Sequence, residues 1–228
     1  TLPNAINRTV LEEKLSLASK KAVTHHGFFI GATSNNIADL QSVEGMEGVC
    51  GIKIFMGSST GDLLVHEQHH LEDIFANTGG VIATHAEDEN RLQSRIPQFS
   101  HRKDIAAHAE CRDVECALIA TKRASALAKD HAHRLHIVHL TSGAEADWLS
   151  LNKGDLITTE VCAQHLTFDQ DDVKELGVRA LMNPPIRYTE DRDALWKRLK
   201  DGTIDCVVTD HAPHTCLLYT SPSPRDSS

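Results

Sequence analysis

Short apolar, β-branched runs recur along this chain, each followed by an amphipathic stretch, and that alternation restricts the available folds more than any other feature. The runs are Gly27 to Gly31, Gly51 to Met56, Val81 to Thr84, Leu135 to Leu140, Ile157 to Cys162, Arg179 to Met182 and Asp205 to Thr209, which predict seven strands. Helices are predicted over Val10 to Val23, Leu71 to Asn77, Cys111 to Lys129, Ala144 to Leu151 and Thr189 to Lys200. In the third of these, Val114, Ala117, Leu118, Ala124, Leu127 and Ala128 keep the spacing of one buried face. Thr189 with Glu190 and Asp191 suits a helix start, and Gly177 after Leu176 suits a left-handed helix end. Strands that alternate with helices imply a parallel sheet, because each crossover must return over the sheet face. No Gly-x-Gly-x-x-Gly fingerprint is present, which favours a barrel over a dinucleotide-binding open sheet. A (β/α)8 TIM-type barrel takes about 250 residues, so the 228 residues here predict an α/β barrel truncated by its opening unit and its final helix. The start lacks Met, and the chain reads as an internal fragment.

Residues 1–215 carry the alternation, whereas residues 216–228 turn Ser- and Pro-rich, a composition that builds no packed element. That tail reads as an artificial scar or a translated sequencing adapter. Lys and Arg number 23 against 32 Asp and Glu, for a formal charge of −9. Such a balance argues against nucleic acid or an anionic membrane as partner, since cationic patches supply most of that affinity. Small molecules or cations fit better, and self-association stays open. No apolar run approaches the roughly 18 residues of a membrane span, and the expected compartment is the cytoplasm. Six cysteines form no Cys-x-x-Cys pair and read as reduced thiols.

Histidine is abundant, at 15 residues, and is the commonest metal ligand. In a parallel barrel the C-terminal strand ends share one face, so polar residues just beyond each apolar run converge there. His85, His139, His165, Asn183 and Asp210 hold such positions, and Lys53 stands inside an apolar run. Taken singly, a histidine at a strand end is more often a hydrogen-bonded structural residue. Several of them with one Asp at successive ends fit a hydrolytic metal site better. Of the remaining histidines, only His101 and His108 flank a connection long enough to reach the barrel mouth. Lys53 has two readings. One is a salt-bridged or snorkelling lysine. The other is an amine that, deprotonated in the barrel, adds carbon dioxide and becomes an anionic carbamate bridging two metals.

The segments Thr84-His-Ala-Glu-Asp88, His136-Ile-Val-His-Leu-Thr141, Asn183-Pro-Pro-Ile-Arg187 and Thr209-Asp-His-Ala-Pro-His-Thr215 resemble those of dihydroorotase, in the cyclic amidohydrolase group of the amidohydrolase superfamily. Gly51-Ile-Lys-Ile-Phe55 is similar to that family's carboxylated-lysine strand, and Leu2-Pro-Asn4 to its substrate-binding turn. The resemblance runs from about Leu2 to Thr215. It implies two zinc ions bridged by carboxylated Lys53, with His85 and His139 on one ion and Asp210 on the other. Asp210 would also move the proton, and Asn4, Asn183 and His214 would contact substrate. The family's first-strand His-x-His-x-Arg has no counterpart here, and Cys162-Ala-Gln-His165 departs from the usual Cys-Pro-His-His, which leaves His165 as a mouth residue. The implied reaction is reversible closure of N-carbamoyl-L-aspartate to L-dihydroorotate, an early step of pyrimidine synthesis. A hydantoinase or allantoinase would use a similar residue set, and an inactive barrel supporting aspartate transcarbamoylase is the reading from another class.

Overall fold

A computed structural model describes residues 3–57 and 63–212. Helix α1 (Arg8–Lys21) starts where the Asn7 side chain accepts from Val10 N, and leads into strand β1 (Phe28–Gly31). Then follow α2 (Ile37–Ser42), β2 (Val49–Phe55), α3 (Gln68–Asn77) and β3 (Val81–His85). The long connection after β3 folds into α4 (Glu89–Phe99), α5 (Ala106–Cys111) and α6 (Val114–Asp130). Strand β4 (Arg134–Leu140), α7 (Gly143–Asn152), β5 (Ile157–Cys162), α8 (Ala163–Thr167), α9 (Gln170–Leu176), α10 (Thr189–Lys200) and β6 (Cys206–Val208) complete the described elements.

All the strand pairs are parallel, and spatial order equals chain order from β1 to β6. Sequential parallel pairing with helical crossovers is the construction of a (β/α)8-type barrel wall, and the expected α/β class is what forms. One face of each strand is apolar and packs on the helices: Ile30, Ile52, Ile54, Ile82, Leu135, Ile137 and Val161 join Leu11, Leu40, Leu71, Ile74, Leu127, Leu149 and Leu195 in one core. Burying each such side chain stabilises the fold by roughly 1.5–3 kcal/mol. Alternate residues face the other way. Lys53, Ala83, His136 and Thr158 form one row across β2 to β5 on that inner face.

Two expectations need correction. Arg179 to Met182 is no strand: a 3-10 turn occupies Gly177–Ala180 and the chain then runs irregularly to Tyr188. Pro184 and Pro185 have no N–H for a ladder, and Gly177, at φ +61°, has already turned the chain out of α9. Among the described residues, therefore, the sheet has six strands. The predicted helix from Cys111 is two, broken where the Asp113 side chain accepts from Cys116 N and starts α6. Gly177 does end a helix as expected. Thr189 opens α10, but its hydroxyl donates to Asp169 Oδ2 at 2.8 Å instead of capping. The proposed boundary at residue 215 and the tail 216–228 lie outside the described residues.

Candidate active site

The C-terminal ends of β3 and β4 bring two imidazoles together edge to face. His85 Nδ1 lies 3.0 Å from His139 Nε2, with the rings at 71°. The other nitrogen of His85, Nε2, is 2.8 Å from Glu87 Oε2, and Arg112 Nη1 donates to the same oxygen at 2.9 Å. A carboxylate held by a guanidinium accepts, so His85 Nε2 carries the proton and its Nδ1 presents a lone pair toward His139. Arg112 is itself placed through its carbonyl, which accepts from Arg187 Nη1 at 2.7 Å.

His139 reaches this position through an irregular strand end. Its φ is +43°, and the β4–β5 register shifts between Ile137 and Leu140. A non-glycine residue in the left-handed region costs on the order of 1–3 kcal/mol and persists only where its surroundings impose it. Here the His139 N–H donates to Glu160 Oε1 at 3.3 Å, and the side chain is buried. Burial, followed by the charges of His85, Lys53 and His165, holds His139 well below the ordinary imidazole value. It is therefore neutral, the form that ligates a metal.

Lys53 lies on the adjoining strand, in register with Gly31 and Ala83. Burial pushes its ammonium down to about 8 against the opposing pull of Asp210 and Glu160. Its Nζ stands 5.0 Å from the Phe55 ring centroid. Asp210, exposed just past β6 with φ +47°, is the other left-handed residue of this end. Lys53, His85, His139 and Asp210 thus stand toward one end of the sheet, where Lys53 feels the charge of Asp210, and His139 those of His85 and Lys53. Imidazoles with converging nitrogens, His139 being held neutral by burial, and an amine made easier to deprotonate suit a cation and an attached carbamate.

The remaining predicted residues stand further out. Asn183 follows Met182, whose carbonyl is 3.0 Å from His108 Nε2, and its buried Oδ1 has no hydrogen-bond partner. His108 thus reaches this loop, while His101 is exposed. Asn4 is carried to the β1 edge by the bond from Gly31 N to Ala5 O, 2.7 Å, whereas the imidazoles stand on β3 and β4. His214 lies outside the described residues. His165 is not an open mouth residue: it is buried, its Nε2 is 3.1 Å from Pro184 O, and burial takes it down to about 4. Glu87, Arg112 and Glu160 were not singled out in the sequence. Glu87 alone carried a local signal, two residues after His85.

No family model matches the chain. It is 34% identical over 226 residues to the allantoinase of Streptomyces avermitilis, covering 96% of this chain and 50% of that protein. To the dihydroorotase of Methanosarcina mazei it is 32% identical over 226 residues, 94% of this chain and 49% of the relative. The L-hydantoinase (dihydropyrimidinase) of Arthrobacter aurescens superposes with a TM-score of 0.87 at 26% identity, over 94% of this chain and 49% of that one. The chain is a homologue of the cyclic amidohydrolase group, as its motifs implied. Within that group its relatives are named both dihydroorotase and allantoinase, and the chain spans about half the length of the curated relatives it matches. None of the helices among the described residues is long and apolar enough to cross a membrane.

Proposed function

We propose that this chain supplies the lysine, histidine and aspartate part of a metal-dependent cyclic amidohydrolase site, and that the whole protein is a dihydroorotase. The observation that carries the reading is the 3.0 Å approach of His85 Nδ1 and His139 Nε2, with the opposite His85 nitrogen tied to Glu87. Two ring nitrogens so aimed, one bare, are donors prepared for a common cation. Lys53 as a carbamate, His85, His139 and Asp210 would hold two zinc ions. Bound there, the metals would supply Lewis acidity and lower the pKa of water toward neutrality.

The chain's own groups do the rest. Asp210, exposed at the strand ends, takes the proton released as the amide carbonyl is attacked and delivers it to the departing ring nitrogen. Asn183, whose Oδ1 lacks a partner in the protein, offers an acceptor to a substrate N–H. Asn4 and His214 complete the substrate contacts in this reading, with residues 1–215 as the catalytic barrel. The substrate would be the N-carbamoyl-L-aspartate and L-dihydroorotate pair, in the cytoplasm.

Allantoin hydrolysis is the second reading, favoured by the 34% identity to an allantoinase against 32% to a dihydroorotase. Turnover of the whole protein on dihydroorotate, allantoin and dihydrouracil decides between them. Preference for allantoin would end the dihydroorotase assignment, and turnover of none would leave a scaffold. Asp210→Asn should lower turnover at least about a hundredfold, the scale of positioned proton transfer, while leaving metal content near its original level. Wild-type rates in that variant would contradict the proton-transfer role.

A further inference from the structure

We propose that His136, Glu160 and Cys206 form a second metal site, taking a divalent transition ion of the zinc type through a nitrogen, an oxygen and a sulfur, on the inner face of the sheet. One ligand atom from each lies within 4.8 Å of the others. The three come from adjacent strands. Glu160 and Cys206 are register partners across β5 and β6, while His136 pairs with Thr158, two residues before Glu160 and so on the same face. His136 precedes His139 by three residues, up to about 10 Å of strand. The site is therefore set further from the strand ends than the paired imidazoles, and it meets that cluster through Glu160, whose Oε1 accepts from His139 N.

A proton now occupies the position that a cation would take between these groups. Thr158 Oγ1 lies 2.8 Å from His136 Nδ1 and 3.5 Å from Leu135 O. At 3.5 Å that contact is too long to commit the proton, so the hydroxyl is free to donate to His136 Nδ1 at 2.8 Å and His136 Nε2 carries the ring proton. This nitrogen faces Glu160 Oε2 at 2.9 Å. That proton is shared with the carboxylate, as it is between His85 and Glu87, and a divalent ion entering here would displace it and join both groups. Cys206, which is in no disulfide and whose Sγ makes a long 4.0 Å contact to Thr159 O, adds a sulfur donor to this pair. Burial and the charges of Glu160 and Asp205 keep that thiol protonated. A divalent ion reverses this by stabilising the thiolate, so binding releases a proton to solvent. Imidazole, carboxylate and thiolate together suit zinc and its analogues more than magnesium or calcium.

Cobalt(II) alone is the probe, added to the metal-free full chain under reducing conditions. The expected result is a thiolate-to-cobalt charge-transfer absorption that grows and saturates as cobalt is added. Cys206→Ser should abolish it, Cys162→Ser should preserve it, and His136→Ala should weaken the cobalt binding that produces it by roughly tenfold or more. Circular dichroism of the near-isosteric Cys206→Ser protein separates loss of a ligand from loss of fold. Absence of the band from the wild-type chain would mean that a proton fills the position, and would overturn the site. Survival of the band in Cys206→Ser would overturn it as well. A Cys206-dependent band in a protein that hydrolyses none of the cyclic amides would uphold this inference and remove the proposed function, so the two fail separately.

Discussion

At the scale of single residues, the proton on His85 decides whether its facing nitrogen can bind anything. Glu87, fully buried and gripped by Arg112, fixes that proton on Nε2. Glu87→Gln keeps the volume but offers an amide N–H, which would turn the imidazole to the other tautomer and close Nδ1. Zinc affinity should fall about 10- to 100-fold, as for other groups that orient a metal-binding histidine, measured by zinc titration of the Cys206→Ser protein and of the same protein carrying Glu87→Gln. Equal affinities would remove Glu87 from this role. His165 gives a different test. Its folded value, about 4, lies below the ordinary 6.5, so burying it neutral contributes stability that is present above pH 6.5 and lost as pH falls toward 4. One proton corresponds to about 1.4 kcal/mol per pH unit in that window. His165→Gln retains a donor for Pro184 O and cannot titrate, so urea unfolding should show a shallower acid slope; an unchanged slope would contradict the assignment. His85, His139 and Asp210 were marked in the sequence by strand-end position, which His165 and Asn183 share, and Lys53 by an ammonium inside an apolar run; the motif resemblance joined the four. The Glu87, Arg112 and Arg187 relay was not, because its contacts join residues 25 and 75 positions apart.

At the scale of elements, the strands that carry the site are set by apolar runs and by one close approach. Gly51 in β2 has φ +147°, and a Cβ there would stand 2.2 Å from Val81 O, the backbone of β3. No flexible side chain can yield at that contact, so Gly51→Ala must push β2 away from β3 and adopt a backbone that L residues avoid. The expected cost is about 2 kcal/mol or more, read as a lower urea midpoint with unchanged m-value. Because Lys53 is two residues further on, that variant should also bind zinc more weakly. Stability equal to wild type would show that the two strands can separate freely there. The same logic explains which elements the sequence disclosed. Runs such as Ile52, Ile54 and Ile82 bury on the helices and keep a period of two, so they are readable. Arg179 to Met182 has a strand-like composition, but the outcome was decided by Pro184 and Pro185 beyond it and by a histidine on α5, whose Nε2 meets Met182 O. The break between α5 and α6 was likewise hidden, since Asp113 is both helix cap and partner of Arg91.

At the scale of the whole molecule, the facing imidazoles and Lys53 come from three neighbouring strands, β2, β3 and β4, inside one continuous core. Their mutual placement rests on pairings within the described sheet, so this chain should bind metal by itself even though it spans half the length of its relatives. Any ligand that binds only the folded state raises stability by mass action. Zinc at about 100 times its dissociation constant contributes about 2.7 kcal/mol, which for a chain of this size moves the melting temperature by roughly 5–10 °C. The measurement is best made in Cys206→Ser protein, where the inner-face site is silenced. Adding His85→Ala or His139→Ala to that background removes one of the two converging nitrogens, and the zinc-dependent shift should then fall to a small fraction of its value. Melting in the absence of zinc separates this from direct destabilisation, because the comparison is between shifts and not between midpoints. A shift of undiminished size after both imidazoles are removed would place the ion elsewhere, and the strand-end cluster would then be a hydrogen-bonded core feature rather than a metal site.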